Sequence, residues 1–302
     1  MSYLEGVKKG RLKTPTRLLV YGVEGVGKST LGSEAPNPIF VGKESGTEQL
    51  DVARLEPTTF QEFVDVLKEL RDSNHSYQSL VIESLDWIEP LVWKQVLSED
   101  PKHPSDISKI GYNKGYEAAT MKTRELIDLI ESVRSKRNMN VILVAHSKIK
   151  KFDDPSTTNG YDRYILAIRE DVGSIYRQYV DAILFLNYEV VVKEDDKRGY
   201  GNGLRFMFTE ERPSFHAKNR YGLPFKMPYV KGEGWKCLMD AIESGNPEAS
   251  DVLLRGIEEM LGRITDKELL PKVKESISKA NGDAKKLLPI RDKLLTLTGG
   301  IK

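Results

Sequence analysis

Arg17-Leu18-Leu19-Val20-Tyr21 runs directly into Gly22-Val23-Glu24-Gly25-Val26-Gly27-Lys28-Ser29. The first five residues have the look of a buried parallel strand, a short apolar run ending in glycine. The next eight fit G-x-x-x-x-G-K-[ST] at every fixed position, in the strand-to-helix setting that the motif requires. Glycines in such a loop let successive backbone N–H groups converge on phosphate oxygens, Lys28 neutralises β- and γ-phosphate charge, and the Ser29 hydroxyl is a magnesium ligand. The expected nucleotide contacts are Gly22, Val23, Glu24, Gly25, Val26, Gly27, Lys28, Ser29 and Thr30, with ATP and Mg2+ as ligands. Without nucleotide, the Lys28 ammonium is expected to be solvated.

Working outward, Ile39 to Val41, Ser79 to Ile82 and Val141 to Ala145 are further apolar runs that end where polar residues begin. Thr59 to Arg71 and Tyr116 to Lys136 repeat apolar residues at spacings of three and four. Strands alternating with helices predict an α/β fold with a mostly parallel central sheet. The runs AILFLNYEVVV and LRFMFT, joined by KEDDKRGYGNG, predict a hairpin from Ala182 to Phe208 on the sheet edge. After Trp235 the pattern turns helical: Asn246-Pro247 starts one helix, Thr265 with Glu268 has capping-box spacing for the next, and Gly282 ends it. The expected division is a core over residues 1–235 and a small helical cap or oligomerisation region over 236–302.

With 302 residues, 39% hydrophobic and 30% charged, the chain can bury one large core and a modest appendage. A net charge of +1 supplies no global cationic field, so nucleic-acid contact must rest on local segments. The single cysteine, Cys237, makes no internal disulfide and no thiolate cluster, which fits a reducing compartment. No signal-peptide core and no run of 18 apolar residues occurs. A cytoplasmic protein without a membrane partner is the expectation.

A second acidic element should end a nearby strand and hold magnesium. Glu83, after SLVI, is the candidate, with Asp86 as the fallback. Glu44, just past PIFVG, is placed to orient or deprotonate the attacking water, and His146 ends VILVA where a strand would terminate beside the ligand crevice. No base-reading N-K-x-D element accompanies the phosphate loop, because Asn113-Lys114 is followed by Gly115-Tyr116, and this counts against a GTPase.

The ordered series GVEGVGKS, PIFVGKESG, SLVIESLD, VILVAHSK and, after the hairpin, AKNRYGLP resembles the RecA-like ATPases over roughly residues 15 to 230. Within them it is most similar to the small phage-type RecA-related proteins that anneal single strands. The resemblance implies a RecA-like core, Glu44 as catalytic glutamate and His146 as γ-phosphate sensor. It implies that Lys218 and Arg220 form a basic pair reaching a neighbouring subunit's γ-phosphate in a ring or filament. The family usually has aspartate where this chain has Glu83. Loops after the later core strands grip single-stranded DNA in such proteins. Two segments here carry the mixture of cations and rings that single strands favour. Ser147 to Arg163 offers Lys148, Lys150, Lys151 and Arg163 with Phe152 and Tyr161, and Pro155, Asn159 and Gly160 mark it as a flexible loop. Asp100 to Gly115 offers Lys109, Tyr112 and Lys114. The implied partners are single-stranded DNA, further copies of the chain and a single-strand-binding protein, with a phage as the implied source. The alternatives are a nucleotide-gated assembly or loader protein with little hydrolysis, and a P-loop kinase acting without DNA.

Overall fold

In the computed structural model of the chain, residues 12–43, 45–155, 158–192, 199–244 and 269–280 are described, with residues 7, 9, 10, 257, 261, 287, 289–291 and 293–294 besides. The apolar runs form the middle of one sheet. Its strands are β1 (Arg17–Gly22), β2 (Pro38–Val41), β3 (Ala53–Leu55), β4 (Ser79–Glu83), β5 (Asn140–Phe152), β7 (Ala182–Val192), β8 (Gly199–Phe208) and β10 (Lys226–Pro228). Their order is β10-β8-β7-β1-β5-β4-β2-β3, while β6 (Tyr161–Leu166) pairs with β5 and β9 (Lys218–Asn219) with β7. From β3 to β7 the neighbours are parallel, and β7-β8-β10 are antiparallel. The predicted α/β fold with a mostly parallel sheet is observed.

Continuous apolar strands follow from burial on both faces. Leu19 and Tyr21 of β1, with Leu80, Ile82, Val141 and Leu143, meet residues of α2 (Phe60–Asp72), α3 (Leu85–Glu99), α4 (Lys114–Arg137) and α5 (Glu170–Tyr179). The alternate residues Leu18, Val20, Phe40, Val81, Ile142 and Val144 meet Leu31 of α1 (Lys28–Ser33) and Trp235, Leu238 and Ala241 of α6 (Gly234–Ser244). Each such side chain fully removed from water contributes about 1.5–3 kcal/mol before conformational entropy is counted. The two predicted helices appear as α2, with the Thr59 hydroxyl accepting from Glu62 N–H at 3.1 Å, and α4, ended by Asn138 at φ 53°.

One expectation is borne out in finer form, one is corrected, and one helix is added. The hairpin β7–β8 lies at the outer side of the sheet, with β7 beside β1 and the three-residue β10 pairing β8 only along Phe206–Phe208. The segment predicted as a flexible loop at 147–163 is a second hairpin, since β5 runs through to Phe152 and pairs antiparallel with β6 in the register Lys148↔Ile165, Lys150↔Arg163 and Phe152↔Tyr161. Helix α3 carried no periodic signal because its buried positions, Leu85, Ile88, Leu91, Val92 and Val96, are accompanied by further apolar residues and an internal Pro90.

Helix α6 begins at Gly234, so the division expected after residue 235 falls inside a helix packed on the sheet. A further helix, α7, spans Leu269–Ala280, and its Val273 clusters with Leu204 and Phe206 of β8. Asn246, Pro247, Thr265, Glu268 and Gly282 lie outside the described residues. Among the described residues no helix is long and apolar enough to cross a membrane.

Candidate nucleotide site

Parallel register brings the candidate residues to one edge of the sheet. Gly22 is level with His146 on one side and Leu186 on the other, and Glu83 is level with Val144, two residues before His146. This is the carboxyl edge of the strands, where open α/β sheets bind ligands.

The loop leaving β1 needs its glycines. Gly25 and Gly27 have φ of 69° and 110°, left-handed values that other residues rarely adopt. A Cβ on Gly27 would lie 2.8 Å from a Tyr229 ring carbon, and one on Gly22 would lie 2.0 Å from the Leu186 carbonyl oxygen. Two tyrosines distant in sequence fix the loop by donating to its carbonyls, Tyr188 to Gly25 at 3.0 Å and Tyr229 to Gly27 at 2.7 Å. Burial pushes the Tyr229 hydroxyl far above its ordinary range, so it stays a neutral donor. Sequence reading missed both tyrosines, and no motif marks them.

Lys28 is 6% exposed, and its ammonium donates to the carbonyls of Val23 at 3.1 Å and Gly22 at 3.3 Å. The expectation of a solvated lysine is therefore corrected. A buried ammonium needs acceptors, and its own loop supplies them. The Ser29 hydroxyl donates to Glu83 Oε1 at 3.0 Å, and Glu83 is 2% exposed. A hydroxyl and a carboxylate oxygen in contact are the hard donors that magnesium takes. Among the described residues no group of three or more His, Cys, Asp or Glu forms a metal cage, and magnesium bound to a nucleotide relies chiefly on phosphate and water oxygens. The residues present therefore fit a phosphate-bound Mg2+ held by Ser29 and Glu83.

Asp86, the fallback metal ligand, is engaged by His146 instead. One carboxylate oxygen accepts the His146 backbone N–H at 2.9 Å and the other meets its Nδ1 at 2.7 Å. Burial pushes the Asp86 carboxyl up, but the bonds from His146 outweigh it and hold the group below the usual carboxylate range. Glu44 lies outside the described residues.

Lys218 and Arg220 stand at the other end of the sheet. Strand β9 pairs with Ala182 and Ile183, the first residues of β7. The Lys218 ammonium donates to the carbonyls of Val180 at 2.6 Å, Arg177 at 2.8 Å and Gln178 at 3.3 Å, closing the end of α5. Burial holds its pKa below the ordinary lysine value. The Arg220 side chain is 54% exposed and reaches Asp181 at 3.2 Å, beside the bidentate pair of Asp181 with Arg17 at 2.8 Å.

On the second hairpin Lys148, Ile149, Lys150, Lys151 and Phe152 are exposed, with Lys148 also donating to the Ile168 carbonyl at 3.1 Å. Arg163 is a correction: it is 8% exposed, paired with Glu211 and directed at the Arg212 and Phe215 carbonyls, so it serves the fold and presents no surface cation. In the second segment Tyr112 is 96% exposed, Lys109 donates to Ser105 Oγ at 2.7 Å and Lys114 opens α4.

A family model described as an AAA domain matches residues 14–221. Among solved structures, that of the RadB recombinase is similar at 16% identity and a TM-score of 0.42, covering 73% of this chain and 90% of that one. No curated protein matches the sequence.

Proposed function

This chain belongs to the AAA domain family, and from that premise we propose that it is a RecA-like ATPase acting on single-stranded DNA in recombination or strand annealing. The observation that carries the reading is the contact of Ser29 with the buried Glu83 beneath a complete phosphate loop. In this reading ATP sits on residues 22–30, Lys28 neutralises its terminal phosphates, and Ser29 and Glu83 hold Mg2+. The metal neutralises charge that develops on the phosphoryl oxygens. Glu44 orients the attacking water and His146 faces the γ-phosphate. The ATPase core runs through α6, whose packing on the sheet carries the boundary expected at 235–236 to the far side of Ser244, with a helical region following.

Arg220, the exposed member of the pair, acts across a subunit boundary, while the Lys218 beside it is held by the carbonyls at the end of α5. The sheet supports this role: from Arg17, tied to Asp181 beside Arg220, to Gly22 at the loop is five residues, about 17 Å at about 3.3 Å each. A cation at that end serves another protomer's phosphates more readily than its own. The exposed lysines of the β5–β6 hairpin, with Lys109, Tyr112 and Lys114, take the DNA strand. The chain is then a phage-encoded protein of the host cytoplasm, working as a homo-oligomer alongside a single-strand-binding protein. Glu83 in place of aspartate favours a second reading, nucleotide-gated assembly with little turnover.

ATP turnover measured with and without single-stranded DNA separates the two. Turnover that rises with DNA and is abolished by Lys28→Ala is the expected result. Unchanged turnover in Lys28→Ala removes the active site from this loop, and tight binding without turnover favours the gated assembly.

A further inference from the structure

Asp86 is used by neither the phosphate loop nor the magnesium pair, yet it makes two bonds to one residue. It lies in the first turn of α3, and its two oxygens divide between the backbone and the ring of His146, at 2.9 Å and 2.7 Å, with the Ser84 hydroxyl donating to the carboxylate as well. One bond fixes the middle of β5, where its parallel pairing with β1 ends, and the other fixes how the ring is turned. Both side chains are about three-quarters shielded, at 27% and 24% exposed, so water competes weakly for the contact.

We propose that Asp86 is a positioning residue that locks His146 in the ring form carrying its proton on Nδ1, so that Nε2 is the nitrogen presented to the γ-phosphate and its attacking water. The inference rests on the reading of this edge as an ATP site and adds to it the residue that sets the sensor's state. The chemistry is that of an acceptor-only group: an ionised carboxylate has no proton to give, so the nitrogen it meets must be the one that bears hydrogen. An aspartate on the far side of an imidazole also stabilises the ring when it gains charge, as negative phosphoryl oxygens would require.

The geometry makes Asp86→Asn a sharp probe. In that variant the amide oxygen is needed by the His146 backbone N–H, which leaves the NH2 group facing Nδ1. An amide NH2 can only donate, so the ring proton must move to Nε2. Fold and volume are preserved while the ring is reversed.

The test uses the full chain labelled with 15N-histidine, with the four histidines distinguished by loss of one signal in His146→Gln. The expected spectrum shows a proton on His146 Nδ1 in the natural protein and on Nε2 in Asp86→Asn. The expected kinetics are a fall in kcat of about a hundredfold, the lower range for losing a correctly placed proton-handling group, with KM for ATP changed by less than about threefold. A natural protein whose His146 bears its neutral-state proton on Nε2 overturns the proposal, whatever the turnover. So does Asp86→Asn that reverses the ring and leaves kcat unchanged while Lys28→Ala abolishes turnover. If neither variant affects phosphate release, the ATP-site reading fails, and the ring spectrum still decides what Asp86 does.

Discussion

Glu83 is buried at 2% exposure and still reaches the Ser29 hydroxyl, so its extra methylene relative to aspartate is accommodated within the edge of β4. A carboxylate in that position matters for its charge if it helps hold Mg2+, and only for its oxygen if it merely accepts from Ser29. Glu83→Gln separates the two, because it keeps volume and one acceptor oxygen. The expected result is a loss of ATP affinity of about tenfold in the presence of Mg2+, the ~1.4 kcal/mol of one charge-assisted contact, with metal-free nucleotide binding unaltered. Fluorescent nucleotide titrated with and without EDTA measures both, and equal losses would make Glu83 a structural acceptor. At this scale the loop was legible because eight adjacent residues spell it. The tyrosine anchors were not, since Tyr188 and Tyr229 lie 163 and 202 residues from the carbonyls they bond. The burial of Lys28 was equally hidden, because it depends on where the Gly22 and Val23 carbonyls point.

Elements with a dry face left a record in the sequence, and elements without one did not. Strands β1, β2, β4 and β5 bury both faces and read as apolar runs. The outer half of β5 exposes Lys148, Ile149, Lys150, Lys151 and Phe152 in succession, so no period of two announces a strand there. Only the turn residues between the two strands were informative. For DNA the consequence is that these lysines ride on a paired ribbon. Lys148 is also tied to Ile168, so Lys150 and Lys151 are the cleaner probes. Changing both to Gln is expected to lower the log-log salt slope of single-strand binding by about 1.4, about 0.7 for each phosphate no longer neutralised, with ATP binding intact. An unaltered slope moves the strand elsewhere. The basic pair after the hairpin divides in the same way. Lys218→Met removes the ammonium that closes α5 and is expected to cost about 1–2 kcal/mol in urea unfolding. Arg220→Ala, at an exposed pair, is expected to leave the unfolding midpoint in place. A midpoint that moves for Arg220 and not for Lys218 would reverse these roles.

Across the whole molecule the phosphate loop and Arg220 occupy opposite ends of the same parallel strands, and that separation is what makes an assembly-dependent mechanism testable. Gly22 closes the carboxyl end of β1, while Asp181, which holds both Arg17 and Arg220, sits at the amino end. If Arg220 completes a neighbour's site, a Lys28→Ala protomer lacks nucleotide but still offers its arginine, and an Arg220→Ala protomer binds nucleotide but offers none. Each is expected to be inactive alone. Mixed in equal amounts with free exchange, about one interface in four pairs an intact loop with an intact arginine, so turnover is expected to return to about a quarter of the natural level. Activity is followed by phosphate release, and mixing is checked with two labels on the two variants. The stability comparison of Arg220→Ala guards against a trivial loss of fold. With mixed assemblies demonstrated and both parents inactive, turnover that stays at the parental level means that both groups serve one protomer's site. The 17 Å or so between the ends of β1 would then have to be crossed within the chain, which a six-residue strand in a packed sheet does not permit without repacking, and the cross-subunit role of Arg220 would fall.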